Sequence, residues 1–132
     1  IKNHFPVNGN TPKGDDLFLK LLQLQIDDYS KLPDEPLLNQ AFKNLKEYVN
    51  KLEQKHIKVT FFEMPVNSQL LNLPKANVIR NTFYKNFPES KYSYIPLPDS
   101  LKFTTTDGLH LTPEEAARYT SYLKNEIKNT NR

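Results

Sequence analysis

The sequence lacks cysteine altogether, and it has no long hydrophobic run. Without cysteine the chain cannot form a disulfide, use a thiolate nucleophile or bind a metal through sulfur. No apolar run approaches the roughly 18 residues that a membrane-spanning helix requires. A chain of 132 residues has a suitable length for one domain with its own hydrophobic core.

The sequence also lacks a concentrated positive charge. Its 18 basic and 15 acidic residues are spread along the chain and leave a net charge of only +3. No arginine-rich tract and no basic stripe with interleaved aromatic residues is present, so we expect no nucleic-acid partner. The three histidines, at positions 4, 56 and 110, do not show metal-ligand spacing such as H-x-x-x-H. We therefore expect no metal and no organic cofactor.

The first residue is Ile1 and not methionine. We therefore expect either that a signal or anchor segment was removed, or that this chain is a piece of a longer polypeptide.

Hydrophobic periodicity predicts helices over about residues 15–29, 37–55, 74–87 and 113–129, after an N-terminal loop over residues 1–14. Residues 57–65, IKVTFFEMP, are apolar on both alternating faces, which is typical of a buried parallel strand. Residues 91–97 predict a second strand. This strand should be short, because Pro96 and Pro98 prevent it from continuing as a central strand.

These elements predict an α/β fold with about four helices and few parallel strands. Sheets usually contain about four to six strands, so two strands form an incomplete sheet. Residues 1–132 therefore represent either a single α/β domain or the C-terminal portion of a larger one, whose upstream strands precede this chain.

The stretch TTDGLHLTPEE, residues 105–115, contains an acid and a histidine three residues apart. One interpretation is purely structural. Thr112 is a good N-cap, Pro113 suits the first helical position, and Glu115 completes a capping box. Asp107 would then make only local hydrogen bonds in the turn, and the imidazole of His110 would have no special partner.

A second interpretation is catalytic. The separation of Asp107 and His110 across a turn lets the carboxylate reach one imidazole nitrogen. The carboxylate then fixes the tautomer, and the other nitrogen can take a proton from a nucleophile. Loops between strands and helices of this kind are where sites gather in α/β proteins. The residues alone leave both interpretations open.

The D-x-x-H pattern of Asp107 and His110, followed by L-T-P-E-E-A-A, resembles the last conserved block of the SGNH (GDSL-type) hydrolases. The predicted helix 37–55, the strand 57–64 and the loop from Pro65 resemble the last full βα repeat of that family. The resemblance implies a flavodoxin-like α/β/α sandwich, of which this chain is the C-terminal part. It also implies that Asp107 orients His110, which acts as the general base of a Ser-His-Asp triad.

Within that family the chain is most similar to bacterial cell-envelope members, including relatives that act on acylated polysaccharides. The resemblance therefore implies a serine ester hydrolase or acyltransferase that needs no cofactor and acts on an acyl ester or an acetylated glycan. It also implies an extracytoplasmic or membrane-associated location in a bacterium.

The chain departs from the family at the nucleophile. It contains no G-D-S motif, and its serines stand at positions 30, 68, 90, 93, 100 and 121. We therefore expect an upstream part of the same protein to supply the serine. The alternative is a catalytically inactive SGNH-like module that binds a ligand or serves as a scaffold.

The family's G-x-N-D motif, which supplies an oxyanion donor, is also absent. Asn10, in the stretch Asn8-Gly9-Asn10, is a candidate donor and otherwise a turn residue. Asn67 follows the predicted strand 57–65 and is a candidate for lining the substrate cleft, although it could instead cap the next segment.

Overall fold

The computed structural model describes residues 12–98 and 103–130, which form a mixed α/β fold with mostly helical structure. The elements in chain order are α1 (Pro12–Tyr29), α2 (Glu35–Gln54), β1 (Thr60–Phe61), α3 (Pro74–Asn86), β2 (Ser93–Tyr94) and α4 (Pro113–Thr130). The prediction of four helices and few parallel strands is confirmed for this part of the chain. The predicted N-terminal loop ends earlier than expected, because α1 already includes residues 12–14, and residues 1–11 lie outside the described residues.

Both ends of α2 are determined by local hydrogen bonds. The carboxylate of Asp34 caps the first turn by accepting the N–H of Leu37 at 3.0 Å. At the other end, the N–H of Ile57 donates to the carbonyl of Leu52 at 3.0 Å, and the N–H of His56 donates to the carbonyl of Glu53 at 2.9 Å. This pair of bonds is a Schellman motif, and it places His56 in the left-handed region with φ of 60°.

The two strands pair in parallel, with Thr60 opposite Ser93 and Phe61 opposite Tyr94. Helix α3 connects them, so β1, α3 and β2 form a βαβ unit. Both strands are shorter than the predicted 57–65 and 91–97. Each has only one partner strand among the described residues, and their hydrogen-bonded pairing extends over two residues.

Aromatic packing holds α2 and α3 against one face of the sheet. Phe42 and Val49 of α2 and Phe87, which follows α3, are buried at its centre. The ring of Phe61 contacts four aromatic rings on this face, those of Phe83, Phe87, Tyr92 and Tyr94, with centroid distances from 4.8 to 5.9 Å. Phe61 thus joins β1 to the helical layer.

Helix α4 lies against the opposite face of the sheet. Successive strand residues point to opposite faces, so Phe62 points away from the cluster around Phe61. Its ring centroid lies 6.2 Å from that of Tyr119, a buried residue of α4, and the Tyr119 hydroxyl donates to the carbonyl of Glu63 at 2.8 Å. The sheet therefore has helices on both faces.

The prediction that residues 57–65 are buried on both faces is wrong, since Ile57, on the same face as Phe61, is 47% exposed, and the face that α4 contacts is exposed as well. Phe62 is 48% exposed and Met64 is 50% exposed. Helix α4 contacts this face through Tyr119, and no other described element covers the rest of these two side chains. An apolar alternation alone indicates which residues can be buried, but burial also requires a neighbouring element.

We predict that His56→Gly stabilises the protein by about 0.5–1 kcal/mol, because glycine adopts a positive φ without the steric cost that a side chain incurs. Urea unfolding measures the change. The matched control His56→Ala keeps a Cβ atom at this position and should give no gain. Equal stabilisation by both substitutions would contradict the explanation from backbone strain.

Candidate active site

The Asp–His stretch forms a narrow hairpin before α4. Thr105 and Leu111 form an antiparallel bridge. The N–H of Thr106 donates to the carbonyl of His110 at 2.8 Å, and the N–H of Thr112 donates to the carbonyl of Thr104 at 3.2 Å. The two arms of the hairpin therefore hold residues 107–109 at its tip.

Asp107 uses its two carboxylate oxygens for two different purposes. Oδ1 accepts the backbone N–H groups of Leu109 and His110, each at 2.8 Å. Oδ2 lies 2.7 Å from Nδ1 of the His110 ring. The structural and the catalytic interpretations of this stretch thus describe the same side chain, since one oxygen shapes the turn and the other orients the imidazole.

The pKa of Asp107 is lower than its ordinary value of 3.8. Burial acts to raise this pKa, but it is outweighed by the hydrogen bonds from the His110 backbone, the His110 ring and the Leu109 backbone, together with attraction to the His110 ring. Asp107 is therefore ionised at neutral pH. An ionised carboxylate only accepts hydrogen bonds, so His110 carries its proton on Nδ1 when the ring is neutral.

The other nitrogen of His110, Nε2, is available for chemistry. The side chain is 71% exposed, whereas that of Asp107 is 19% exposed. Among residues 12–98 and 103–130, no hydrogen-bond partner of Nε2 is present. A neutral imidazole with its proton on Nδ1 has a lone pair on Nε2, which is the form that a general base requires.

Two other parts of the chain support the tip of the hairpin. The N–H of Asn67, in the loop after β1, donates to the carbonyl of Gly108 at 2.8 Å. Helix α1 packs on the other side, so closely that a Cβ atom at Gly108 would lie 2.7 Å from Cδ1 of Leu22. Gly108 is buried and has φ of +95°, a backbone conformation that favours glycine, and any side chain there would also displace the end of the Leu22 side chain.

The capping box predicted for Thr112 and Glu115 is only half formed. The hydroxyl of Thr112 accepts the N–H of Glu115 at 3.3 Å, as expected. The carboxylate of Glu115, however, accepts the N–H of Thr104 at 2.8 Å, because the N–H of Thr112 is already bonded to the Thr104 carbonyl. Glu115 therefore ties the first turn of α4 to the hairpin that carries His110.

The two asparagine candidates have different outcomes. The side-chain oxygen of Asn67 accepts the N–H of Gln69 at 2.9 Å, so it caps its own loop, and Asn67 is absent from the lining of the groove described below. Its contribution to the site is the backbone bond to Gly108. Asn10 lies outside the described residues.

A groove with a volume of about 630 Å³ adjoins the ring of His110. Its lining comes from Tyr29 at the end of α1, from β1 and the residues that follow it, from α3, from Glu89, from residues 94–97 and from Leu109–Leu111. Most of these side chains are apolar. The sequence alone did not reveal the groove, because the residues that line it belong to separate segments whose proximity depends on tertiary packing.

The charged side chains Arg80 and Glu63 pair within the groove lining. Nε and Nη2 of Arg80 bind the two carboxylate oxygens of Glu63 at 3.0 and 2.6 Å, and Nη2 also donates to the Leu71 carbonyl at 2.8 Å. Arg80 is thus a salt-bridged residue of the groove wall. Since each charge neutralises the other, this pair itself adds little net charge to the groove.

Residues 12–98 and 103–130 offer neither a metal-binding cluster nor a membrane-spanning helix. No group of three or more histidine, aspartate or glutamate side chains is placed to hold a metal ion there. In the same residues, no helix has the length and apolar character needed to cross a bilayer.

Comparisons with protein-family models, curated proteins and solved structures found no match for this chain. The functional assignment therefore depends on the residues and the geometry of the hairpin and groove.

We predict that Asp107→Ala destabilises the protein by about 1–3 kcal/mol, since it leaves the N–H groups of Leu109 and His110 without an acceptor. Asp107→Asn should cost much less, because its amide oxygen can still accept both. Chemical unfolding of the two variants measures the difference. Equal losses would show that the two backbone bonds do not hold the turn.

The pH dependence of stability provides a second test of Asp107. A carboxylate whose pKa is lower in the folded state contributes stability above its unfolded pKa of about 3.9 and loses it as pH falls through the folded value. The stability advantage of the wild type over Asp107→Asn should therefore be full above about pH 5 and shrink below pH 4. An advantage that does not change with pH would contradict the lowered pKa.

We predict that Gly108→Ala destabilises the protein by roughly 2 kcal/mol or more, because the new methyl group meets Leu22 at a backbone angle that L-residues rarely adopt. Adding Leu22→Ala should relieve the collision but not the backbone strain, so a double-mutant cycle should show a favourable coupling between the two positions. Strictly additive losses would mean that α1 does not pack on the hairpin tip.

Proposed function

We propose that this chain carries the Asp–His half of a Ser-His-Asp triad in an SGNH-type serine ester hydrolase or acyltransferase. The observation that carries the proposal is the 2.7 Å contact between Asp107 Oδ2 and His110 Nδ1, with Nε2 exposed beside an apolar groove. This is the geometry in which a carboxylate fixes the tautomer of a catalytic base.

In this mechanism, Nε2 of His110 takes the proton of a serine hydroxyl as the serine oxygen attacks the ester carbonyl. The developing imidazolium is stabilised by the ionised Asp107. His110 then returns the proton to the leaving alcohol, and an acyl-enzyme remains. Water, or the hydroxyl of an acceptor molecule, then attacks the acyl-enzyme while His110 takes its proton. His110 returns this proton to the serine oxygen as the acyl group is released. Asn10 remains the candidate oxyanion donor within this chain.

The architecture supports a flavodoxin-like sandwich. Helices lie on both faces of a parallel pair of strands, and the His110 hairpin lies between the second strand and the last helix. In open α/β sheets, sites form beyond the carboxyl ends of the strands. The groove beside His110 takes its lining from residues 61–66 and 94–97, which include those ends.

The proposed nucleophile comes from an upstream part of the same protein. No serine hydroxyl in residues 12–98 or 103–130 forms a hydrogen bond with His110, and Ser100 lies outside those ranges. The proposed substrate is an acyl ester, with an acetylated glycan of the bacterial cell envelope as the specific candidate. Both the substrate and the extracytoplasmic or membrane-associated location come from the family resemblance.

The same observation about serine favours a second candidate function. If no serine reaches Nε2 in the complete protein, the Asp107–His110 pair is a structural turn, and the chain is an inactive SGNH-like module that binds a ligand or serves as a scaffold. The two functions differ in one measurable property, which is the presence of an activated serine.

Fluorophosphonate labelling with peptide mapping tests the proposal on the longest polypeptide that the reading frame encodes and on the 132-residue chain. We expect a labelled serine upstream of Ile1 and no label on the shorter chain. His110→Ala should slow labelling by about 10²–10⁴-fold, the usual contribution of a general base. His56→Ala is the matched control and should label at the wild-type rate.

Labelling that is unchanged by His110→Ala, in a variant with wild-type circular dichroism, would mean that His110 is not the base. The absence of label from both polypeptides would favour the binding or scaffold module.

A further inference from the structure

The tip of the hairpin contains an aspartate followed directly by a glycine, Asp107 and Gly108. This pair is chemically labile, because glycine has no Cβ atom to hinder the approach of its amide nitrogen to the preceding side chain. The nitrogen of Gly108 can attack Cγ of Asp107 and form a new C–N bond. The amide proton and the carboxyl OH leave together as water, and a succinimide ring results.

Hydrolysis of the succinimide has two products. Water that adds to the Cγ carbonyl breaks the new bond and regenerates Asp107. Water that adds to the main-chain carbonyl breaks the original peptide bond and gives isoaspartate, in which the chain continues through Cγ and the free carboxylate is attached directly to Cα. The two steps release one water and consume one, so the reaction requires no oxidant and no cofactor.

The folded hairpin restrains the attacking nitrogen. The N–H of Gly108 donates to Oγ1 of Thr105 at 2.9 Å, and Gly108 is buried. An amide in such a bond must open before it can lose its proton to solvent, as in hydrogen exchange. Thr105 therefore holds the nitrogen of Gly108 in its unreactive, protonated form for as long as the hairpin stays closed.

The folded hairpin also restrains the carboxyl group under attack. Oδ1 of Asp107 accepts the N–H groups of Leu109 and His110, and Oδ2 lies 2.7 Å from Nδ1 of the His110 ring. Ring closure removes one of these two oxygens, so it must sacrifice either the turn bonds or the imidazole contact. Closure also proceeds from the protonated carboxyl, and the lowered pKa of Asp107 leaves little of that form at neutral pH.

We propose that Asp107 and Gly108 form a site of isoaspartate modification that the closed hairpin suppresses, with Thr105 as the residue that protects the Gly108 amide. The site becomes reactive when the hairpin opens. This reaction requires no catalytic role for His110. It does, however, separate the carboxylate from the imidazole, since isoaspartate lengthens the main chain by a methylene group and shortens the side chain by one.

Storage of the 132-residue chain at neutral pH, in buffer and in urea, tests the site. Trypsin releases Asp107 in the peptide 103–118, in which chromatography separates the isoaspartyl isomer and electron-transfer fragmentation identifies it. We expect isoaspartate to accumulate about tenfold or more faster in urea, because denaturation opens the hairpin completely. The pair Asn8 and Gly9 reacts in a different peptide, 3–13, and deamidation there also changes the mass.

Substitutions at Thr105 test the protecting residue. In native buffer, Thr105→Ala should accelerate both isoaspartate formation and hydrogen exchange of the Gly108 amide roughly 3- to 10-fold, the effect of losing one hydrogen bond. Thr105→Ser keeps the hydroxyl and should stay near the wild-type rates. Thr106→Ala is the matched control, because its hydroxyl lies 3.4 Å from the His110 carbonyl and does not bind the Gly108 amide.

The urea reactions provide the reference for all variants. There the wild type and the three variants should react at the same rate, which shows that the substitutions change protection and not intrinsic reactivity. A wild-type rate for Thr105→Ala in native buffer, with circular dichroism unchanged, would overturn the role of Thr105.

If Thr105→Ala does not fold, the wild-type chain alone still decides the proposal. Equal rates in buffer and in urea would show that the hairpin protects nothing. No isoaspartate in peptide 103–118 after storage in urea would show that the pair is not labile.

Discussion

The candidate site depends on the carboxylate of Asp107, which divides its hydrogen bonds between the backbone and a side chain. Oδ1 holds the N–H groups of Leu109 and His110, while Oδ2 contacts the imidazole of His110. Because both sets of bonds share one rigid carboxylate, the conformation of the turn and the orientation of the ring are coupled. Gly108 permits the turn, and Leu22 and Asn67 support it from two sides.

Local features were predictable from the sequence. The helices could be predicted, because their apolar periodicity and their end signals, such as Asp34 and Pro113, act within a few residues. The Asp107–His110 contact was also predictable, since a carboxylate three residues before a histidine across a turn can reach its ring. The ion pair of Glu63 and Arg80 joins residues 17 positions apart, so its partners depend on tertiary packing and not on local sequence.

Features that depend on distant partners were not predictable. The apolar alternation of residues 57–65 indicated burial on both faces, but Phe62 and Met64 remain half exposed because no described element covers them fully. The reach of Glu115 to Thr104 depends on a bridge between two hairpin arms, which sequence spacing does not show. The groove could not be predicted for the same reason, since the residues that line it come from several elements brought together by tertiary packing.

The bond between Glu115 and Thr104 also affects how the site can move. Because it joins the hairpin to the first turn of α4, the imidazole shares the rigidity of an 18-residue helix that is itself held by the buried Tyr119. In the proposed hydrolase, a base positioned in this way would lose little conformational entropy when a reactant arrives. Under that proposal, the motion that brings reacting atoms together would come from the serine and the substrate, while the histidine remains the fixed point of reference.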